Sequence, residues 1–240
     1  MSERNIFLLA AGRGLRLNLE VPKVLAPLGG KPILDYTIYH LSELSPDNLV
    51  CVVGHQGELI QRRYGNGIIY RKQINLNGNA GAILAGIDMV PATSSCLVVQ
   101  GDDSAFVSTQ TYERVYRVHE RSGAKITALL SRKYSPNTQH RYCQVVNNGR
   151  IIACHQIAGK KPEGGFFTGV YCFEPGFLRD SLQKLIPDST GEISIPQLIQ
   201  LALKESGNTV AVWDQLEEWQ SINTREELFI ANQRFSFSQT

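Results

Sequence analysis

Gly12, Gly14, Arg16 and Lys23 fall within twelve residues near the start of the chain, with Glu20 the only acid between the two cations. Glycines let the backbone turn sharply and approach a ligand. Turning amides beside two cations suit a polyphosphate, because both oppose its negative charge. Three other stretches could serve the same chemistry. Asp102 and Asp103 follow Gly101 at the end of the apolar run 96–99. A carboxylate at a strand end can hold Mg²⁺, which uses few carboxylates plus waters and substrate phosphates. An aspartate there can equally satisfy the amides of its own turn. Residues 73–79, QINLNGN, offer Gln73 as donor and acceptor for a base edge, or else a polar loop capping a helix from Asn79. Ser221, Asn223 and Thr224 precede Glu226 and Glu227, the composition of a helix cap and first turn.

The glycines alone leave alternatives. Gly12 and Gly14 fit the opening of a dinucleotide-binding G-x-G-x-x-G, but Leu17 holds the third glycine position. Pro22-Lys23 also falls where that motif continues its helix. An ordinary strand-to-loop turn with solvated basic residues accounts for the glycines as well. The five histidines form no H-x-x-H pair, so no metal or catalytic histidine stands out.

The positioning elements follow from apolar periodicity. The run 6–11 is short enough for a buried strand. Helical spacing predicts helices over 31–44, with Pro32 in the first turn, and over 79–90, 175–185, 193–205 and 225–235. A shorter helix is expected within 54–64. The helix over 108–121 has Ser108 as its N-cap. Strands are expected at 49–53, 67–70, 96–99, 125–130, 166–173 and 209–213. Asn147-Asn148-Gly149 joins 142–146 to 150–155 as a β-hairpin. Alternating strands and helices imply an α/β, mostly parallel Rossmann-like sheet with helices on both faces and a β-hairpin in the C-terminal half. The Gly12 loop, 73–79 and Gly101-Asp102 would then share the carboxyl edge, where such sheets bind ligands. No composition shift or linker divides the chain, so 1–240 is expected to be a single domain.

A net charge of +2 and a hydrophobic fraction of 42% describe a globular protein with a real core. They give no reason to expect nucleic acid or a membrane surface as partner. No leader or bilayer-spanning run is visible. The five cysteines are odd in number and lack C-x-x-C spacing, which fits free thiols in a reducing, cytoplasmic setting. Nothing sets an oligomeric state.

Leu9-Ala10-Ala11-Gly12-x-Gly14-x-Arg16, followed by Pro22-Lys23-Val24-Leu25, resembles the signature of the sugar-phosphate nucleotidyltransferases. It is most similar to the uridylyltransferase domain of UDP-N-acetylglucosamine pyrophosphorylases, with Leu15 where that family usually has Thr. The resemblance implies the nucleotide-diphospho-sugar transferase fold. An NTP-binding half would cover about 1–130 and an acceptor-binding half about 131–240. It implies catalytic roles for Arg16 and Lys23, and nucleotide binding by Leu9, Ala10, Ala11, Gly12, Gly14, Gln73, Gly78 and Asn79. Mg²⁺ is expected on Asp102 and Asn223; Asp103 could help hold it, but the favoured expectation is that it faces solvent. The family's sugar-holding glycine, glutamate and asparagine fall on Cys143, Gln156 and Phe167, so only Thr168 and Gly169 remain as matched acceptor-binding residues. These losses point to a different acceptor. Lys160 and Lys161 could bind an acceptor phosphate, but a solvated loop is the favoured reading for them.

The expected reaction is Mg²⁺-dependent in-line transfer from an NTP, UTP or CTP favoured, to a small phosphorylated acceptor such as a sugar 1-phosphate. Rivals are a cytidylyltransferase for choline or alcohol phosphate, a catalytically silent nucleotide-sugar sensor and, more distantly, a dinucleotide-dependent oxidoreductase. The C-terminal acetyltransferase domain of bifunctional relatives, and the trimer it builds, are not expected.

Overall fold

The structure, a computed structural model, describes residues 3–12, 14, 17, 19–133, 141–146, 148–156, 164–205 and 207–237, of which 141–143, 155, 156, 236 and 237 by backbone alone. Arg16, Lys160 and Lys161 therefore lie outside the described residues.

β1 (Asn5–Ala10) is buried along its whole length. Phe7 and Leu9 enter one core, while Ile6, Leu8 and Ala10 enter another. A strand covered on both faces has no polar alternation, which is why 6–11 reads as one apolar run. Each large side chain buried there stabilises by about 1.5–3 kcal/mol. After the glycine turn, β2 (Pro27–Leu28) and β3 (Lys31–Pro32) pair antiparallel, and α1 (Ile33–Ser42) follows. Pro32 is the N-cap of α1 rather than part of its first turn. Its backbone stays extended, at φ −54° and ψ 144°, while pairing with Pro27.

Next come β4 (Asn48–Val53), α2 (Gly57–Tyr64), β5 (Ile69–Lys72), α3 (Asn79–Leu84) and β6 (Cys96–Gln100). α3 stops well short of residue 90. Gly86 favours helix poorly and lies close enough to Phe7 that a Cβ would come within 3.0 Å of its ring. A 3-10 turn, Ile87–Met89, takes up the rest. α4 (Thr109–Ser122) begins as expected, with Ser108 Oγ accepting from the Thr111 amide at 3.3 Å. The chain then forms β7 (Ile126–Ser131), β8 (Arg141–Val145), β9 (Ile151–Gln156) and β10 (Gly165–Phe173). It ends with α5 (Pro175–Lys184), α6 (Ile195–Glu205), β11 (Thr209–Trp213) and α7 (Arg225–Phe237).

Among the described residues the main sheet has nine strands, with the path β11-β7-β10-β6-β1-β4-β5. β1 runs parallel to β4 and β6, β4 to β5, and β11 to β7; β10 is antiparallel to both its neighbours. β8 and β9 form the expected hairpin, joined to the sheet through β10. The parallel register brings the carboxyl ends of β1, β4, β5 and β6 to one edge. A small third core of Ala26, Leu28, Ile33, Ala105, Ile222 and Ala231 packs α7 and its leading loop against β2, β3 and the loop after β6. That packing carries residue 223 to residue 23. Cys51, Cys96, Cys154 and Cys172 are buried, and burial pushes the Cys51 thiol up to about 12.

Candidate active site

A cleft of about 810 Å³ opens at the carboxyl edge of β1, β5 and β6. Eleven residues singled out in the sequence line it: Leu9, Ala10, Ala11, Gly12, Gly14, Lys23, Gln73, Gly78, Asn79, Asp102 and Asn223. Gln100 and Glu192 line it too, and sequence reasoning missed both. Gln100 was legible in principle, one residue before Gly101. Glu192 had no local signal, because only the packing of its loop against Gly78 brings it there.

At one end the glycine turn and Lys23 are built together. Gly14 has φ +62°, and a Cβ there would lie 2.6 Å from the Lys23 Cβ. Pro22 leads into a single 3-10 turn, closed by the Leu25 amide donating to Pro22 O at 2.8 Å, which fixes the Lys23 backbone. The Lys23 side chain is only 7% exposed. Its Nζ donates to Asp102 Oδ2 at 2.6 Å and to Asn223 Oδ1 at 2.8 Å, and pairs with Asp103 Oδ1 at 3.5 Å. Residues 79 and 200 positions apart in the chain thus meet on one ammonium.

Asn223 is aimed by its surroundings. Its Nδ2 donates to Ser221 Oγ at 2.8 Å, leaving Oδ1 toward Lys23. Its backbone amide donates to Glu227 Oε2 at 2.6 Å, while Thr224 Oγ1 accepts from the Glu227 amide. Thr224 Oγ1 accepting from Glu227, and Glu227 reaching back one residue further to the Asn223 amide, start α7 in a variant of the capping box that leaves the Asn223 side chain facing Lys23. Asp214 accepts from the Glu218 and Trp219 amides and holds the preceding turn.

The expectation that Asp103 faces solvent is wrong. Its side chain is 14% exposed, with Oδ1 accepting from the Ile222 amide at 3.1 Å and Oδ2 3.5 Å from Asn223 Nδ2. Burial pushes its carboxyl up to about 6, against the pull of Lys23 and with the push of Asp102. Asp103 clamps the Asn223 loop to β6. Among the described residues no three His, Cys, Asp or Glu side chains gather as a metal cluster. Asp102 and Asn223 nevertheless offer two oxygens that already converge on one cation, a donor set that fits Mg²⁺ when phosphates and waters complete its shell.

At the other end, Gln73 is 5% exposed and its side chain closes the 73–78 loop. Nε2 donates to Asn77 Oδ1 at 3.0 Å and to Gly78 O at 2.9 Å. Gly78 has φ +92°, and a Cβ there would lie 2.2 Å from Ile193 O, so only glycine fits. Asn79 lines the cleft, but its Oδ1 accepts from the Ile195 amide at 2.7 Å and so caps α6 rather than its own helix.

A model of the MobA-like NTP transferase domain matches residues 6–192. The chain belongs to the MobA-like NTP transferase family. Bifunctional protein GlmU of Bacillus cereus (strain G9842) is 31% identical over 235 residues, and that of Bacillus thuringiensis (strain Al Hakam) 32% over 237, each covering 95% of this chain and 51% of the relative. The chain thus spans about half the length of the curated relatives it matches. In fold it is similar to a Bacillus anthracis protein described as a glucose-1-phosphate thymidylyltransferase, solved with sucrose. The TM-score is 0.80 at 21% identity, over 96% of this chain and 94% of that one. The resemblance read from the glycine turn therefore stands at the level of a nucleotidyltransferase family. No helix of the described residues is long and apolar enough to cross a membrane.

The residues expected on the acceptor side sit differently from those that line the cleft. Thr168 is buried and its Oγ1 donates to Leu129 O at 3.0 Å. Gly169, at φ +89° in a bulge of β10, leaves room for Gln100, whose Cβ would be 2.9 Å from an added Cβ. Neither lines the cleft; Gly169 reaches it through Gln100. Phe167 is buried beside Tyr171, with ring centroids 5.9 Å apart. The side chains of Cys143 and Gln156 lie outside the described residues.

Proposed function

We propose that this chain joins an NTP to a phosphomonoester, a sugar 1-phosphate by preference, giving an NDP-sugar and pyrophosphate. The observation that carries the reading is the meeting of Lys23, Asp102 and Asn223 beside the glycine turn, at 2.6 and 2.8 Å. An acceptor phosphate oxygen attacks the α-phosphorus of the NTP, the bond from α-phosphorus to the bridging oxygen breaks, and pyrophosphate leaves. The acceptor's second pKa is about 6, so it arrives ionised and needs no general base. Catalysis is then positioning and charge stabilisation. Lys23 opposes the charge that develops on the phosphates, and Arg16 is assigned the same role from the motif. Asp102 and Asn223 would hold Mg²⁺, which when bound supplies Lewis-acid stabilisation of phosphoryl oxygens. Asp103 and Ser221 keep the Asn223 oxygen aimed at that point. Residues 1–130 supply the NTP side in this reading, and 131–240 most of the acceptor side. A reducing cytoplasm suits its thiols.

Base choice follows from Gln73. Both its amide protons are taken by the loop, so only Oε1 is left to meet a base. With its ring N3 seated against Oε1, uracil offers an N–H to that acceptor, whereas cytosine offers a lone pair. UTP is therefore favoured over CTP. Phe167, where the N-acetylglucosamine enzymes use an asparagine, favours an acceptor other than N-acetylglucosamine 1-phosphate. Pyrophosphate release across the NTPs and a panel of sugar 1-phosphates, choline phosphate and alcohol phosphates tests this. Mg²⁺-dependent release with a sugar 1-phosphate is expected. Release with choline or alcohol phosphate alone would establish the rival acceptor class, and nucleotide-sugar binding without release under any condition would establish a sensor.

A further inference from the structure

Lys23 holds together two oxygens that the proposed reaction needs for a divalent ion. Asp102 Oδ2 and Asn223 Oδ1 both lie within hydrogen-bond reach of Nζ. Mg²⁺ binds oxygen at about 2.1 Å, so from either side an ion touching both oxygens comes within about 4 Å of Nζ. A divalent ion and an ammonium repel strongly at that separation in a partly buried site. The two cations therefore compete for one oxygen pair.

The lysine is built to yield at its tip alone. Its Cα and Cβ are pinned by Gly14 and by the 3-10 turn. The rest is a flexible four-carbon stem carrying a compact charge. The glycine turn beside it is where the phosphates of an NTP would lie, giving the displaced ammonium an anionic partner.

We propose that Lys23 is an internal counter-cation that closes the Asp102–Asn223 pair before substrate binds, and that ion entry and delivery of Lys23 to the phosphates are one exchange. This rests on the nucleotidyltransferase reading. The nucleotide-free protein then binds a divalent ion weakly, because Lys23 already satisfies the oxygens. Phosphate and ion affinities are linked through Lys23, each raising the other by the same factor.

The test is Mn²⁺ binding to the full chain without nucleotide, measured by electron paramagnetic resonance. Lys23→Met is expected to bind Mn²⁺ at least ~10-fold more tightly than wild type, as removal of a like charge at contact range requires. Lys23→Arg, which keeps the charge, stays near wild type, and Asp102→Asn added to Lys23→Met abolishes the gain. In wild type itself, saturating Mn²⁺ raises the acylation rate of Lys23 by an amine reagent, read by mass spectrometry. Equal Mn²⁺ affinity in wild type and Lys23→Met, with unchanged acylation, overturns the exchange while leaving Asp102 and Asn223 as ligands if Asp102→Asn still weakens binding. Binding indifferent to Asp102→Asn overturns the ion site and the exchange together.

Discussion

The sharpest consequence of the site concerns one hydrogen-bond edge. Gln73 spends both Nε2 protons inside its own loop, at 3.0 and 2.9 Å, and is 5% exposed. In a pose that brings ring N3 to Oε1, a uracil N3–H would find its acceptor waiting, whereas a cytosine N3 lone pair would face another lone pair. Leaving a buried acceptor unpaired costs about 1–3 kcal/mol, which is roughly 5- to 150-fold in kcat/KM. Flipping the carboxamide to suit cytosine breaks the bond to Gly78 O, so the protein cannot adapt cheaply. Pyrophosphate release with UTP and CTP, at a fixed acceptor, should show UTP ahead by that ratio. Gln73→Leu removes the acceptor and should bring the ratio below about 5-fold while lowering both rates. The loop bonds lost in that variant should also cost ~1–2 kcal/mol of stability, seen in chemical denaturation. Wild-type use of CTP within about twofold of UTP, or ahead of it, would refute this account of base recognition.

Lys23→Ala should lower turnover at least ~10²-fold in steady-state assays, the scale for losing one preorganised electrostatic group. It should also cost ~1–3 kcal/mol of stability, below the value for a fully buried pair, because Asp102 is 30% exposed and solvent screens it. Gly78→Ala should destabilise by about 2–4 kcal/mol, the sum of left-handed strain and the clash with Ile193 O; Gly30→Ala, at φ +84° with nothing within 4 Å, should show the strain alone. His119 is 3% exposed, bonded through Nδ1 to Thr127 Oγ1 at 3.0 Å, and burial pushes its pKa down to about 4. The unfolded chain protonates His119 near pH 6.5 while the folded chain resists, so stability present above pH 6.5 should fall as pH drops toward 4, by up to about 3 kcal/mol. His119→Gln should flatten that part of the melting-temperature profile.

What could be read from residues alone was whatever neighbours in sequence decide. β1 was legible because burial on both faces leaves an unbroken apolar run. The start of α4 was legible because Ser108 caps an amide three residues away. The glycine turn was legible for the same local reason. Roles decided across the fold were not. Asn79 looked available to a nucleotide, yet its oxygen serves Ile195, 116 positions on. Thr168 looked available to an acceptor, yet its hydroxyl is taken by Leu129 in the neighbouring strand.

Asp103 is the most instructive of these. Beside Asp102 it reads as a redundant surface acid, and two adjacent carboxylates would ordinarily repel. Three features make the pair tolerable. Lys23 lies between them, the Ile222 amide donates to Asp103, and α7 is packed onto β2 and β3 so that this amide arrives at all. The second acid is thus the link through which the packing of a distant helix sets the direction of the Asn223 oxygen. Loosening α7 should therefore weaken Mn²⁺ binding in Lys23→Met without touching any ligand, because an oxygen that is no longer held in place loses the advantage of preorganisation.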